Sequence, residues 1–83
     1  MKGKQMDIKI LGMGCPKCKR LEQITREVTT EMGIDATFTK VTDIDDIMAY
    51  EIAATPGLVV DGQVLSSGRL PSKAEIESLL SGR

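Results

Sequence analysis

The sequence contains no histidine and no tryptophan, and its only aromatic side chains are Phe38 and Tyr50. With so few rings on which bases could stack, binding of single-stranded nucleic acid is not expected. The net charge is −1 and there is no basic block, which removes any bulk attraction to a phosphate backbone. Two cysteines without a histidine are also too few for a four-ligand zinc site within one chain.

Long apolar runs are missing as well. No stretch reaches the roughly 20 residues that a membrane-spanning helix needs, and residues 1–7 lack the apolar segment of a secretory signal. These absences predict a cytoplasmic protein with no membrane partner. The chain fits one small domain over residues 1–83, with residues 1–5 as a flexible tail. In the cytosol, a disulfide is more often transient and catalytic than structural.

The feature that stands out is a Cys-Pro-Lys-Cys motif over residues 15–18, between a strand-like run and a helix-like run. Pro16 suits the first turn of a helix, where its missing N–H would have no partner. A thiol there faces unpaired backbone N–H groups and the positive end of the helix dipole, and both favour the reactive thiolate. A second thiol three residues later can close a disulfide with the first. The motif therefore predicts a dithiol/disulfide redox site.

The hydrophobic pattern predicts four strands and three helices. A first strand covers residues 6–11, residues 12–14 form a flexible turn, and a helix runs from Pro16 to a stop at Gly33. The second strand, over residues 35–41, precedes a helix that must end before the proline at position 56. The apolar face predicted for this second helix consists of Ile44, Ile47, Met48 and Ile52.

The C-terminal part is predicted to be a β-hairpin followed by a helix. A short apolar run at residues 58–60 predicts a buried strand, and residues 64–67 form the return strand. Asp61-Gly62 between them is a strong signal for a tight turn. Ser72 and Glu75 form a capping box that starts the last helix. The order is β-α-β-α-β-β-α, and the first helix is long enough for a right-handed crossover between parallel strands. We therefore expect an α/β fold in which helices flank a four-stranded mixed sheet.

The chain resembles the thioredoxin/glutaredoxin superfamily, and most of all its small microbial redox-active disulfide proteins. Three segments carry the resemblance: residues 14–18 after the first strand, 55–57 before the hairpin, and 60–68 across it. The resemblance implies that Cys15 attacks a substrate disulfide and that Cys18 resolves the mixed disulfide. It also implies a cis bond between Thr55 and Pro56, beside the cysteines, where the backbone before the proline pairs with the substrate chain.

The resemblance implies a thiol–disulfide oxidoreductase that needs no cofactor beyond its cysteine pair. Its expected partners are protein disulfides, and the protein is expected to be a monomer. Glutaredoxins hold glutathione with a Gly-Gly pair after the hairpin, where this chain has Ser67-Gly68. A flavin-dependent donor of the thioredoxin-reductase type is therefore expected. The buried acid of the thioredoxin first strand, which helps to deprotonate the second cysteine, falls on Lys9.

The cations beside the motif are assigned two different roles. We expect Lys17 and the helix N-terminus, which Pro16 opens, to lower the pKa of Cys15. Lys19 and Arg20 are expected to form a solvated face of the helix.

Two other functions fit parts of the sequence. Met13 with the two cysteines matches M-x-C-x-x-C, which resembles the Cu(I) loop of copper-chaperone-type domains. Those domains end in a strand, whereas a terminal helix is predicted here. A thioredoxin-like adaptor without turnover is the third possibility, and the presence of both cysteines argues against it.

Overall fold

The computed structural model describes residues 5–81 of the chain. Its first strand, β1, spans Gln5–Leu11, where buried Met6, Ile8 and Ile10 alternate with more exposed residues. The predicted flexible tail over residues 1–5 was wrong for Gln5, because Gln5 pairs with Asp35 in the sheet. The rest of that predicted tail lies outside the described residues.

The remaining elements follow the predicted order β-α-β-α-β-β-α. They are α1 (Pro16–Met32), β2 (Asp35–Val41), α2 (Ile44–Met48), β3 (Gly57–Val60), β4 (Gln63–Ser67) and α3 (Lys73–Ser81). None of the helices within residues 5–81 is long and apolar enough to cross a membrane.

The four strands form one mixed sheet in the order β2-β1-β3-β4. β1 and β2 run parallel and are joined through α1, while β3 runs antiparallel to both β1 and β4. The β3–β4 turn places Asp61 at φ 50 and Gly62 at φ 83, both in the left-handed region that tight hairpin turns require. The predicted hairpin is confirmed, with each strand starting one residue earlier than expected.

The two faces of the sheet are covered by different helices. On one face, α1 and α3 bury a core of apolar side chains against β1 and β3: Met6, Ile8, Ile10, Leu21, Ile24, Val28, Leu58, Val60, Ile76 and Leu80. On the other face, Ile47 of α2 packs with Leu11 and Val59 in a smaller cluster. Helix α1 is thus fixed along its length, which positions its N-terminus at the end of β1.

Helix α2 is shorter than predicted, and its predicted apolar face was largely wrong. Only Ile47 is buried, whereas Ile44 and Met48 are 52% and 64% exposed. Ile52 lies beyond the helix and packs from a loop against the smaller cluster. The helix ends early because Glu51 adopts φ 59, a left-handed conformation that no α-helix can continue through.

The predicted capping box of α3 is confirmed. The Glu75 N–H donates to Ser72 Oγ at 3.2 Å, and the Ser72 N–H donates to Glu75 Oε1 at 3.3 Å. Arg69 also donates hydrogen bonds to the Glu75 carboxylate. These bonds are the main cause, and the bond from the Ser72 N–H the second, of the lowered pKa of Glu75, which is about 2. The cap therefore stays formed across the neutral range.

Candidate active site at the mouth of helix α1

The two cysteines lie at the N-terminus of α1, where the chain leaves β1. Cys15 is the N-cap residue, and its Sγ accepts a hydrogen bond from the Cys18 N–H at 3.2 Å. Pro16 occupies the start of the helix, as predicted. The two cysteines are joined by a disulfide, with their Cα atoms 5.1 Å apart. The structure therefore brings together the two thiols that the motif predicted to pair.

The two sulfur-bearing residues differ in their exposure. Cys18 is 5% exposed, since it sits one turn into the helix and faces the sheet. Cys15 is partly exposed at the end of the molecule. A large substrate can therefore approach Cys15 more easily than Cys18.

Gly12 makes room for Cys18, a role that the sequence analysis missed. It is buried and continues the sheet beyond β1, because its N–H donates to the Val41 carbonyl oxygen at 3.0 Å. A Cβ atom built on Gly12 would overlap Cys18 Sγ. The chain bends over residues 12–14 where a flexible turn was predicted, but its first residue, Gly12, is buried and hydrogen-bonded. Its signal was the position of a glycine directly after a strand and three residues before the motif.

The Thr55–Pro56 segment lies next to the cysteines. Its peptide bond is cis, Pro56 is buried and Thr55 is exposed. A Cβ atom built on Gly12 would overlap Cys18 Sγ, and the same atom would lie 3.9 Å from the Thr55 Cβ. Thr55 is therefore close to the Cys18 sulfur. The Pro56 carbonyl oxygen accepts a hydrogen bond from the Gly68 N–H at 2.9 Å, which ties the segment to the end of β4.

The charged residues near the site divide between two faces. Lys17, Lys19 and Arg20 are exposed, and the first turn of α1 carries no acidic residue. Within residues 5–81, Lys17 forms no ion pair. Lys9 alternates with Ile8 and Ile10, so its side chain points to the α2 face, where it lies 3.8 Å from an oxygen of Asp7. Lys9 is therefore on the opposite face of the sheet from α1 and Cys18.

Comparison with known proteins decides which family this site belongs to. Residues 6–81 match the family model of the thioredoxin domain. The chain belongs to the thioredoxin family. It is 46% identical over 76 residues to a thioredoxin of Methanothermobacter thermautotrophicus strain Delta H, across 92% of this chain and 99% of that protein. It is 38% identical over 80 residues to a thioredoxin of Methanocaldococcus jannaschii, across 92% of each.

Solved structures agree on the thioredoxin fold. The oxidised thioredoxin of Plasmodium falciparum superposes with a TM-score of 0.59 at 15% identity, covering 95% of this chain and 81% of that one. A malarial protein superposes with a TM-score of 0.63 at 8% identity, covering 95% and 97%. The predicted fold class, a four-stranded mixed sheet flanked by helices, is confirmed.

Membership of the thioredoxin family fixes the reaction class. Thioredoxins are thiol–disulfide oxidoreductases, and the Cys15–Cys18 pair matches their active-site motif. The chain is therefore a thiol–disulfide oxidoreductase, as predicted. Thioredoxins in general act on protein disulfides, are reduced by a reductase and use no cofactor beyond the redox-active disulfide.

The fold argues against the copper-chaperone interpretation. The last described element is the helix α3 rather than a strand, and the fold matches that of a solved thioredoxin with a TM-score of 0.59. Met13 is 70% exposed beside the motif.

Proposed function

We propose that this thioredoxin-family protein reduces protein disulfides, with Cys15 as the attacking thiol and Cys18 as the resolving thiol. The observation that carries the proposal is the asymmetry of the pair. Cys15 is the partly exposed N-cap of α1, whereas Cys18 is 5% exposed. Because an incoming disulfide must align with the attacking sulfur, the accessible cysteine is the one that meets the substrate.

The proposed cycle consists of two exchanges. The Cys15 thiolate attacks one sulfur of the substrate disulfide, forms a mixed disulfide and displaces the other substrate sulfur as a thiolate. Cys18 then loses its proton and attacks Cys15 Sγ, which closes the Cys15–Cys18 disulfide and releases the second substrate thiolate. Two electrons pass to the substrate, and a reductase returns two electrons to the protein.

The substrate chain is proposed to bind against Thr55 and Pro56. Thr55 is exposed, and its backbone N–H and carbonyl have no hydrogen-bond partner among residues 5–81. Both groups are therefore available to an extended peptide, which pairs through its own backbone. Buried Pro56, tied to the Gly68 N–H at 2.9 Å, shapes the floor of the groove next to the sulfurs.

Trapping of substrates tests the assignment of roles. With Cys18→Ser, we expect a protein substrate to accumulate as a stable mixed disulfide on Cys15, because no thiol remains to resolve it. With Cys15→Ser, we expect no adduct above the level of the double serine variant. Non-reducing gels and mass spectrometry measure both. Adducts on Cys18 in the Cys15→Ser variant would show that the roles are reversed.

The thiolate of Cys15 is proposed to be favoured by its position. The Cys18 N–H that donates to its sulfur, the dipole of the 17-residue helix and the cation of Lys17 all act in that direction. We expect alkylation of Cys15 in the Cys18→Ser variant to titrate with a midpoint below ~8.5, the ordinary value for a cysteine thiol. Lys17→Gln should raise the midpoint, whereas Arg20→Gln, at an exposed position outside the cysteine pair, serves as the matched control. A midpoint at or above ~8.5 contradicts the proposal.

Three further proposals concern the electron donor, the oligomeric state and the cellular location. We propose a flavin-dependent reductase as donor because Ser67-Gly68 stands where glutaredoxins hold glutathione with two glycines. We also propose a monomer that works in the cytoplasm, where dithiol sites of this kind are kept reduced. Coupled assays with a thioredoxin reductase or with glutathione distinguish the donors, while size-exclusion chromatography and cell fractionation check the rest.

A further inference from the structure

A small cavity connects the buried cysteine to a carboxylate. It has a volume of about 60 Å³ and is lined by Ile10, Gly12, Gly14, Cys18, Lys19, Glu22, Lys40 and Thr42. A cavity needs roughly 10–15 Å³ to admit one water molecule, so this one has room for water beside the Cys18 sulfur. Glu22 supplies the only carboxylate among the lining residues.

Glu22 is held at the cavity by two elements. It follows Cys18 by four residues on α1, so both side chains lie on the same face of the helix. Its carboxylate accepts hydrogen bonds from Arg26 Nε at 3.0 Å and forms an ion pair with Lys40 Nζ of β2 at 3.3 Å. The guanidinium of Arg26 also lies 4.4 Å from the centre of the Phe38 ring on β2. These contacts leave the Glu22 side chain 16% exposed.

The charges around Glu22 keep it ionised. Burial favours the neutral acid, but the hydrogen bonds from Arg26 and Lys40 outweigh it, so the pKa of Glu22 is lowered. Lys19, on the rim of the same cavity, adds a third cation. From β1 and the residue after it, Ile10 and Gly12 line the cavity, whereas Lys9 points to the opposite face.

The second exchange requires a proton acceptor close to Cys18. Cys18 is 5% exposed, so bulk water has little access to its thiol. The first-strand position at which thioredoxins carry an acid is Lys9 here, and its ion pair with Asp7 lies on the α2 face. The cavity with Glu22 on its wall is thus a route by which a proton can leave the resolving thiol, and its one acidic side chain is Glu22.

We propose that Glu22 accepts the Cys18 proton, through water in this cavity, when Cys18 resolves the mixed disulfide. This step rests on the proposed function, in which Cys18 is the resolving thiol. A Cys18–Cys15 sulfur bond forms and the Cys15–substrate sulfur bond breaks. The electron pair leaves with the substrate thiolate, and the proton passes from Cys18 to the Glu22 carboxylate and on to solvent.

The test is a stopped-flow reaction of the reduced protein with Ellman's reagent, which yields two thionitrobenzoate anions in sequence. The first comes from attack by Cys15, and the second from closure of the disulfide by Cys18. We expect Glu22→Gln to slow the second phase about 10-fold to 100-fold near neutral pH and to leave the first phase within about twofold. General-base catalysis typically contributes ~10²–10⁴-fold, and a carboxylate of lowered pKa is a weaker base, which places this case at or below the lower limit of that range.

The sign and the pH dependence separate this role from simple electrostatics. Loss of a negative charge alone would ease ionisation of Cys18 and speed the second phase, which is the opposite result. At high pH, where Cys18 ionises unaided, Glu22→Gln and the unmodified protein should converge. Glu22→Asp should recover part of the rate, and Glu27→Gln, at an exposed position of the same helix, should leave it unchanged.

A merely structural role for the Glu22–Arg26 pair is tested by Arg26→Gln. That variant breaks the same contact but keeps the carboxylate, so the second phase should stay fast at neutral pH. Its acidic limb should move to higher pH, because Glu22 loses a hydrogen bond that lowers its pKa. An unchanged second phase in Glu22→Gln, or equal slowing in Arg26→Gln, overturns the proposal. Each single serine variant can release only one thionitrobenzoate. The assignment of the cysteines fails instead if Cys15→Ser releases it at the rate of the first phase and Cys18→Ser does not.

Discussion

Insulin reduction by the Cys15→Ser variant is expected to fall to the rate measured without the protein. A serine hydroxyl does not ionise near neutral pH and cannot form a mixed disulfide, so the first exchange has no nucleophile. The fold should tolerate the change, because serine is a favoured N-cap residue and its oxygen can accept the hydrogen bond that Cys15 Sγ now receives from the Cys18 N–H. The loss would therefore report chemistry rather than unfolding.

The controls for that loss of activity are the melting temperature of Cys15→Ser and the activity of Cys18→Ser. The melting temperature of Cys15→Ser should match that of the reduced unmodified protein within a few degrees. Cys18→Ser should still attack insulin once per molecule and then stall. Substantial turnover by either single variant would show that the two sulfurs do not act as a pair.

Replacing Gly12 by alanine is expected to make the Cys15–Cys18 disulfide easier to reduce by about tenfold. The new Cβ would overlap Cys18 Sγ, and overpacking of this kind costs ~1–3 kcal/mol. In the dithiol, Cys18 can rotate its sulfur away, whereas in the disulfide the sulfur is tied to Cys15. The cost therefore falls mainly on the oxidised form. A tenfold change is ~1.4 kcal/mol, or ~30 mV for two electrons.

Equilibration in dithiothreitol or glutathione redox buffers measures this shift, with alkylation and mass spectrometry to count free thiols. The matched control repeats Gly12→Ala in a Cys18→Ala background, where the overlapped sulfur is absent. The melting temperature should then change much less than it does in the oxidised protein. Equal reduction potentials for Gly12→Ala and the unmodified protein would contradict the role assigned to Gly12.

The elements that could be predicted are those with strong local signals. Pro16 at the start and Gly33 at the end bound α1, and the structure places Gly33 at φ 69 as its C-cap. The capping box of α3 and the Asp61–Gly62 turn are equally local. In each case the residue type itself favours the observed backbone conformation, so no knowledge of distant packing was needed.

The length of helix α2 could not be predicted from local signals. Its apolar residues were spaced as for a longer helix, but Glu51 takes a left-handed conformation that nothing in its side chain predicts. The chain turns there so that Ile52 can reach the smaller cluster with Leu11 and Val59. Tertiary packing overrode helical periodicity, and periodicity alone gives no warning of it.

The active site shows the same division. The cysteine pair could be predicted because the two thiols are only three residues apart in the sequence. Gly12 had only a weak signal, its position directly after a strand, since its importance lies in what a side chain there would meet. The lining of the Cys18 cavity combines α1 with Lys40 and Thr42, and that proximity exists only after β1 and β2 pair.

The hydrogen bond from the Cys18 N–H to Cys15 Sγ has a consequence for how this protein can diverge. The donor belongs to the main chain, so it persists whatever side chains occupy the two positions between the cysteines. Pro16 and Lys17 are both exposed. These two residues can therefore be replaced during evolution without loss of the main-chain hydrogen bond that holds the Cys15 sulfur at the start of the helix.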